Sequence, residues 1–228
     1  VKTGVTAWKD AFSTKGKNGW QAYNDVESLV NYYVATEITG DIDAYFVFKG
    51  YRESDGPFFW GPIWDKDLAY GNYVEGTQGN PSLLTAFYNK CGFEGVFTYG
   101  LFNDKTFLTL VKAKIDALIA DGIYDKLCSD IDRIAASLNN TQKQNFNKYD
   151  ITESTLGEQY HYANYADNVQ QEKDYLRGRI TLVQQELQKL IDNLPAPTAG
   201  TYDPEAAWWY TDLTTGTNYN MSVTNRQL

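Results

Sequence analysis

The chain has 228 residues, 43% of them hydrophobic and 15% aromatic, with a formal net charge of -9 at pH 7. That is length enough to bury a full core, and more apolar content than a disordered segment carries. The acidic balance, with no clustered Lys or Arg to displace counterions, argues against nucleic acid as a partner.

No apolar run reaches the roughly 20 residues needed to cross a bilayer, so no membrane span is expected. The chain begins at Val1 with neither Met nor a signal segment, and reads as an excised piece or a processed form. Two cysteines, Cys91 and Cys128, and a single His161 leave little nitrogen or sulfur for metal binding. Any metal is expected on oxygen. The cysteine spacing leaves a disulfide and two buried thiols equally open. His161 has no Ser or Cys at an informative spacing and is given no catalytic role.

In chain order, residues 1–23 show no periodicity and read as the remnant of an upstream element. Asn24 with Glu27 forms a capping-box pattern, and Val26, Val30, Tyr33, Val34 and Ile38 recur at helical spacing. A helix is predicted to about Thr39, stopped by Gly40. The aromatic, β-branched run Ala44–Lys49, the turn residues Glu53–Pro57 and the run Phe58–Trp64 predict a β-hairpin with Trp60 and Trp64 in the core. Asp65–Pro81, with charges and glycines, suits an exposed functional loop.

Two amphipathic helices are predicted over 104–121 and 123–138, separated by Asp121-Gly122. After an Asn, Gln and Tyr-rich connection, Val169, Leu176, Val183 and Leu190 recur every seven residues, with Ile180, Leu187 and Leu194 between them. These define a long helix ending at Pro195, on which Arg177 and Arg179 are expected to form a solvated or ion-paired face. Residues 196–228 read as a linker or the start of a next module, with Trp208-Trp209-Tyr210 expected to be buried against a following domain. The fold class is therefore α+β, mainly α, with one domain over 24–195.

Two acidic pairs stand out: Asp41 and Asp43 after the first helix, and Asp65 and Asp67 after the second strand. Side chains two apart on an extended segment point the same way, and a hairpin can bring two such pairs together. Clustered carboxylates repel unless neutralised, and a divalent cation is the simplest neutraliser, Mg²⁺ suiting a site that shares its metal with substrate phosphate.

The segment Glu37–Asn72, closing on GPIWDKDLAYGN, resembles the signature of the CotH kinase family, and the later order of helices with YLRGRITLV resembles its C-terminal half. The resemblance implies a kinase C-lobe-like helical domain in which a small hairpin carries the acidic motif. It implies ATP with Mg²⁺ or Mn²⁺ as cofactors, a protein substrate, and a secreted or cell-surface, bacterial location. Asp43 would be the catalytic aspartate that orients the acceptor hydroxyl, Asp65 and Asp67 the metal ligands, and Asp41 a further ligand or a support for the ligands. At Asp41 the family usually has Asn. Residues 1–23 are not expected to supply the glycine-rich or strand lobe with a phosphate-holding Lys, and nucleotide-contacting residues are not assigned. The alternative reading is a non-catalytic extracellular module that binds a surface protein or a glycan. A third is a structural Ca²⁺ site.

Overall fold

The computed structural model describes residues 21, 24–41, 50–52, 56–67, 69–72, 101, 104–149, 164–194, 208–212 and 217–221. In chain order these form α1 (Val26–Thr39), β1 (Gly50–Arg52), β2 (Phe58–Trp60), α2 (Lys105–Ala120), α3 (Ile123–Ser137), α4 (Asn139–Lys148), α5 (Tyr165–Asn193), β3 (Trp208–Asp212) and β4 (Thr217–Met221). The α+β, mainly α class is as the sequence predicts.

α1 starts one residue later than its capping pattern suggests. Asp25, not Asn24, accepts the backbone N–H of Ser28 at 2.8 Å. Asn24 is buried instead, and its Oδ1 accepts the indole N–H of Trp60 at 2.8 Å. A cap was available next door, so the amide side chain is used to satisfy a core Trp. The helix ends at Gly40, whose φ of 62° lies in the left-handed region and whose N–H is returned to the last turn.

The core lies where α1, α2 and α5 meet. Leu29, Tyr33 and Val34 of α1 pack with Phe107, Leu108, Val111 and Ile115 of α2 and with Leu176, Ile180, Val183 and Leu187 of α5. The Phe107 ring meets the Tyr33 ring edge-on at 5.3 Å. These α5 residues are the heptad stripe read from the sequence, and their burial is the main stabilising term.

β1 and β2 pair antiparallel with Tyr51 opposite Phe59, their rings stacked at 5.1 Å. Gly50 allows the close approach, because a Cβ there would collide with the Phe58 ring and the Phe59 carbonyl. Most of the predicted first strand, Ala44–Lys49, lies outside the described residues. β2 is fastened to the start of α1: Asp25 N–H donates to the Phe58 carbonyl at 2.9 Å and Trp60 N–H to Ser28 Oγ at 3.1 Å.

Asp121-Gly122 separates α2 from α3 as predicted, with Gly122 at φ 73°. The polar connection after α3 contains a ten-residue helix, α4, that no apolar period announced. The stretch read as a linker or next module contains a second hairpin, β3 with β4, in the register Trp208 opposite Met221 and Asp212 opposite Thr217. Cys128 is half-buried on α3, while Cys91 and His161 lie outside the described residues.

Candidate functional site

The site is assembled by three pieces of chain: the end of α1, the segment after β2, and the N-terminal half of α5. β2 ends at Trp60 and the chain passes a cis Gly61–Pro62 peptide before the acidic turn. Strand alternation is lost there. Trp60 is therefore buried as predicted, whereas Trp64 is 54% exposed, which corrects its expected place in the core.

Asp65 adopts φ 48°, a left-handed conformation that Asp reaches more readily than most residues. Beyond it a short run of turns is stitched to its surroundings. Ala69 N–H donates to the Lys66 carbonyl at 3.1 Å, Asn72 N–H to the Ala69 carbonyl at 3.0 Å, and Asn72 Nδ2 to the Asp67 carbonyl at 3.1 Å. Tyr70 N–H reaches the Thr39 carbonyl at 2.7 Å, which ties the loop to the last turn of α1.

Asp65 and Asp67 are exposed. Lys66, between them, points the opposite way and forms an ion pair with Asp41, whose side chain is 3% exposed. Asp41 itself is held by its N–H on the Thr36 carbonyl at 3.1 Å. Asp41 of the first pair thus meets the segment of the second, and the group facing it is the lysine between the second pair. Burial pushes the Lys66 ammonium down to about 8, and the carboxylate beside it opposes that shift. Asp43 lies outside the described residues.

α5 forms the wall behind this junction through residues at helical spacing. Gln171 Nε2 donates to the Tyr70 carbonyl at 2.9 Å, and the Tyr175 ring meets the Tyr70 ring edge-on at 6.2 Å. Tyr175 also sits over Gly40, where a Cβ would collide with its hydroxyl. One turn on, Arg179 Nε donates to the Glu37 carbonyl at 2.7 Å and its terminal nitrogen to Glu37 Oε2 at 3.1 Å. Both side chains are almost fully buried. The expected Arg177 and Arg179 face divides: Arg179 is an interior ion pair, while Arg177 stays exposed, stacked over Tyr124 at 4.5 Å. Burial raises the Glu172 carboxyl above its usual range, and burial together with that carboxylate raises the Tyr70 phenol.

Among the described residues, no three His, Cys, Asp or Glu side chains converge as a ready-made metal cage. The donor set does fit Mg²⁺ or Mn²⁺, which binds through one or two carboxylates and completes its shell with water and substrate phosphate. Asp65 and Asp67 are two solvent-facing carboxylates on a braced turn.

Lys66, Glu37, Tyr175 and Arg179 were not assigned a place at the site from the sequence. Two of them carried a readable signal. Arg179 lies three residues after Leu176 and four before Val183, on the apolar stripe, and Glu37 lies four after Tyr33 on that of α1. A charge at such a position demands a buried counter-charge.

No helix among the described residues is long and apolar enough to cross a membrane. No curated protein and no solved structure matches the chain. A family model described as CotH kinase protein matches residues 6–183, most of the 228, so with its acidic turn braced against α1 and α5 the chain belongs to the CotH kinase family.

Proposed function

We propose that this chain supplies the metal-binding and catalytic carboxylates of an ATP-using protein kinase that acts on exported or surface proteins. Family membership supports kinase-like function in general, with ATP and a protein as its partners. The observation that carries the finer reading is the exposure of Asp65 and Asp67 on a turn fastened to both α1 and α5.

In this reading Asp65 holds Mg²⁺ or Mn²⁺, with Asp67 as its second carboxylate, and Asp43 orients the acceptor hydroxyl. The bound cation would neutralise charge on the phosphate oxygens. Asp41 supports the ligands through Lys66. The remaining work is positioning, because phosphoryl transfer asks the protein chiefly to fix geometry and place charge.

Titrating the chain with Mn²⁺ and ATP by calorimetry tests the reading against Asp65→Ala. Metal-dependent ATP binding by the parent chain and its loss in the variant are the expected result. Identical traces from both would instead favour the second reading, a non-catalytic module for a surface protein or a glycan. That alternative draws on Tyr51, Ile63 and Trp64, which are 59%, 48% and 54% exposed on and after the hairpin.

A further inference from the structure

We infer that Lys66 is a positioning residue for the metal-binding turn, acting as a tether from the turn to the interior rather than as a solvated charge. The inference rests on the reading of Asp65 and Asp67 as metal ligands and assigns the residue that aims them.

Lysine is rarely buried without a partner, yet the Lys66 side chain is 17% exposed and directed onto Asp41, which is 3% exposed. Asp41 is a fixed anchor. It follows the left-handed Gly40, its N–H is bound to Thr36, and Gly40 is covered by Tyr175. The turn is not extended strand, since Asp65 lies at φ 48°, so the ion pair rather than pleat alternation draws Lys66 away from its two neighbours. With Lys66 drawn inward, Asp65 and Asp67 are left facing solvent. The Tyr70–Thr39 hydrogen bond closes the far side of the same turn, so the turn is fixed at two points on the end of α1.

Within W-D-K-D the labour is divided: Asp65 and Asp67 are exposed, and Lys66 between them is anchored on Asp41. Removal of the tether leaves both ligands in place chemically and frees them to splay. Groups that orient metal ligands without touching the metal typically change affinity by roughly 10–100-fold when lost.

A double variant, Asp41→Leu with Lys66→Met, separates tethering from two simpler explanations. It removes one negative and one positive charge, so the net charge near the turn is unchanged. It also removes both charges of the ion pair together, so neither is stranded by loss of the other. Mn²⁺ alone is the probe, followed by the electron paramagnetic resonance signal of the free ion, with thermal melting read in parallel.

The expected result is a melting curve close to that of the parent chain together with Mn²⁺ binding weakened by roughly 10–100-fold. Lys66→Met alone is expected to weaken Mn²⁺ binding as well, although loss of a neighbouring positive charge would by Coulomb attraction tighten it. Parent-like Mn²⁺ affinity in the double variant overturns the tether while leaving the metal site intact, provided Asp65→Ala still loses the ion. Should the parent chain and Asp65→Ala bind Mn²⁺ equally, the metal reading itself fails and the tether with it.

Discussion

Arg179 is the residue on which the backing of the site turns. Its guanidinium is buried and joins α5 to α1 by donating to both the backbone and the carboxylate of Glu37. Breaking a buried pair from one side strands the other charge in a medium that cannot solvate it. Arg179→Met is therefore expected to lower unfolding stability by about 3–5 kcal/mol. Glu37→Leu combined with Arg179→Met should recover most of that loss, because no lone charge remains. Urea unfolding of the three proteins checks this, and equal losses for the single and the double variant would show that the pair does not act as a unit.

Glu172, about two turns earlier on α5, is perturbed by burial. Burial raises its carboxyl above the ordinary 4.5. Between 4.5 and its folded value the native state holds more protons than the unfolded chain, so its contribution makes stability fall as pH rises through that window. Glu172→Gln removes this penalty. It should melt at a higher temperature than the parent at about pH 7, with the difference closing at about pH 4. A variant that melts lower at neutral pH would mean that the charged carboxylate is used.

At the scale of elements, what could be read in advance depended on whether apolar residues marked a period. The end of α5 was legible to within about two residues because its heptads run unbroken to Pro195, and α2 and α3 because Asp121-Gly122 punctuates them. α4 was not, since Asn139–Lys148 has a single large apolar residue, Phe146, and nothing buried. The β3–β4 hairpin escaped for another reason. Its strands are five residues each, β3 opening on three consecutive aromatics and β4 holding one, so neither shows a period of two to outweigh the Pro, Thr and Gly around them. For the site, the acidic positions were legible as a motif, but their bracing was not. Lys66 gives no periodic signal, and its partner Asp41 is 25 residues away, so only the folded chain reveals the contact. The neutraliser that the sequence assigned wholly to a metal is, for Asp41, a lysine.

Across the whole molecule, stability should be distributed as unevenly as burial. α1, α2 and α5 supply nearly all of the fully buried side chains, whereas α3 and α4 contribute none. α3 still rests Ile123, Tyr124, Leu127 and Ile131 against the core, and Lys173 of α5 reaches Asp132 at 2.7 Å. Among the described residues α4 shows little beyond the edge contact of Phe146 with Tyr165 at 6.2 Å, and its Asn residues are indifferent helix formers. Local opening costs least where few apolar contacts must be broken. Hydrogen exchange followed by mass spectrometry should therefore find the slowest amides in α1, α2 and α5, intermediate ones in α3, and α4 exchanging at least about a hundredfold faster than α5. Because Gln171, Tyr175 and Arg179 back the acidic turn from the slow-exchanging α5, the metal ligands would stand on the most rigid part of the fold, as phosphoryl transfer requires. Protection of α4 equal to that of α5 would contradict this division and show that α4 is held by residues other than those described.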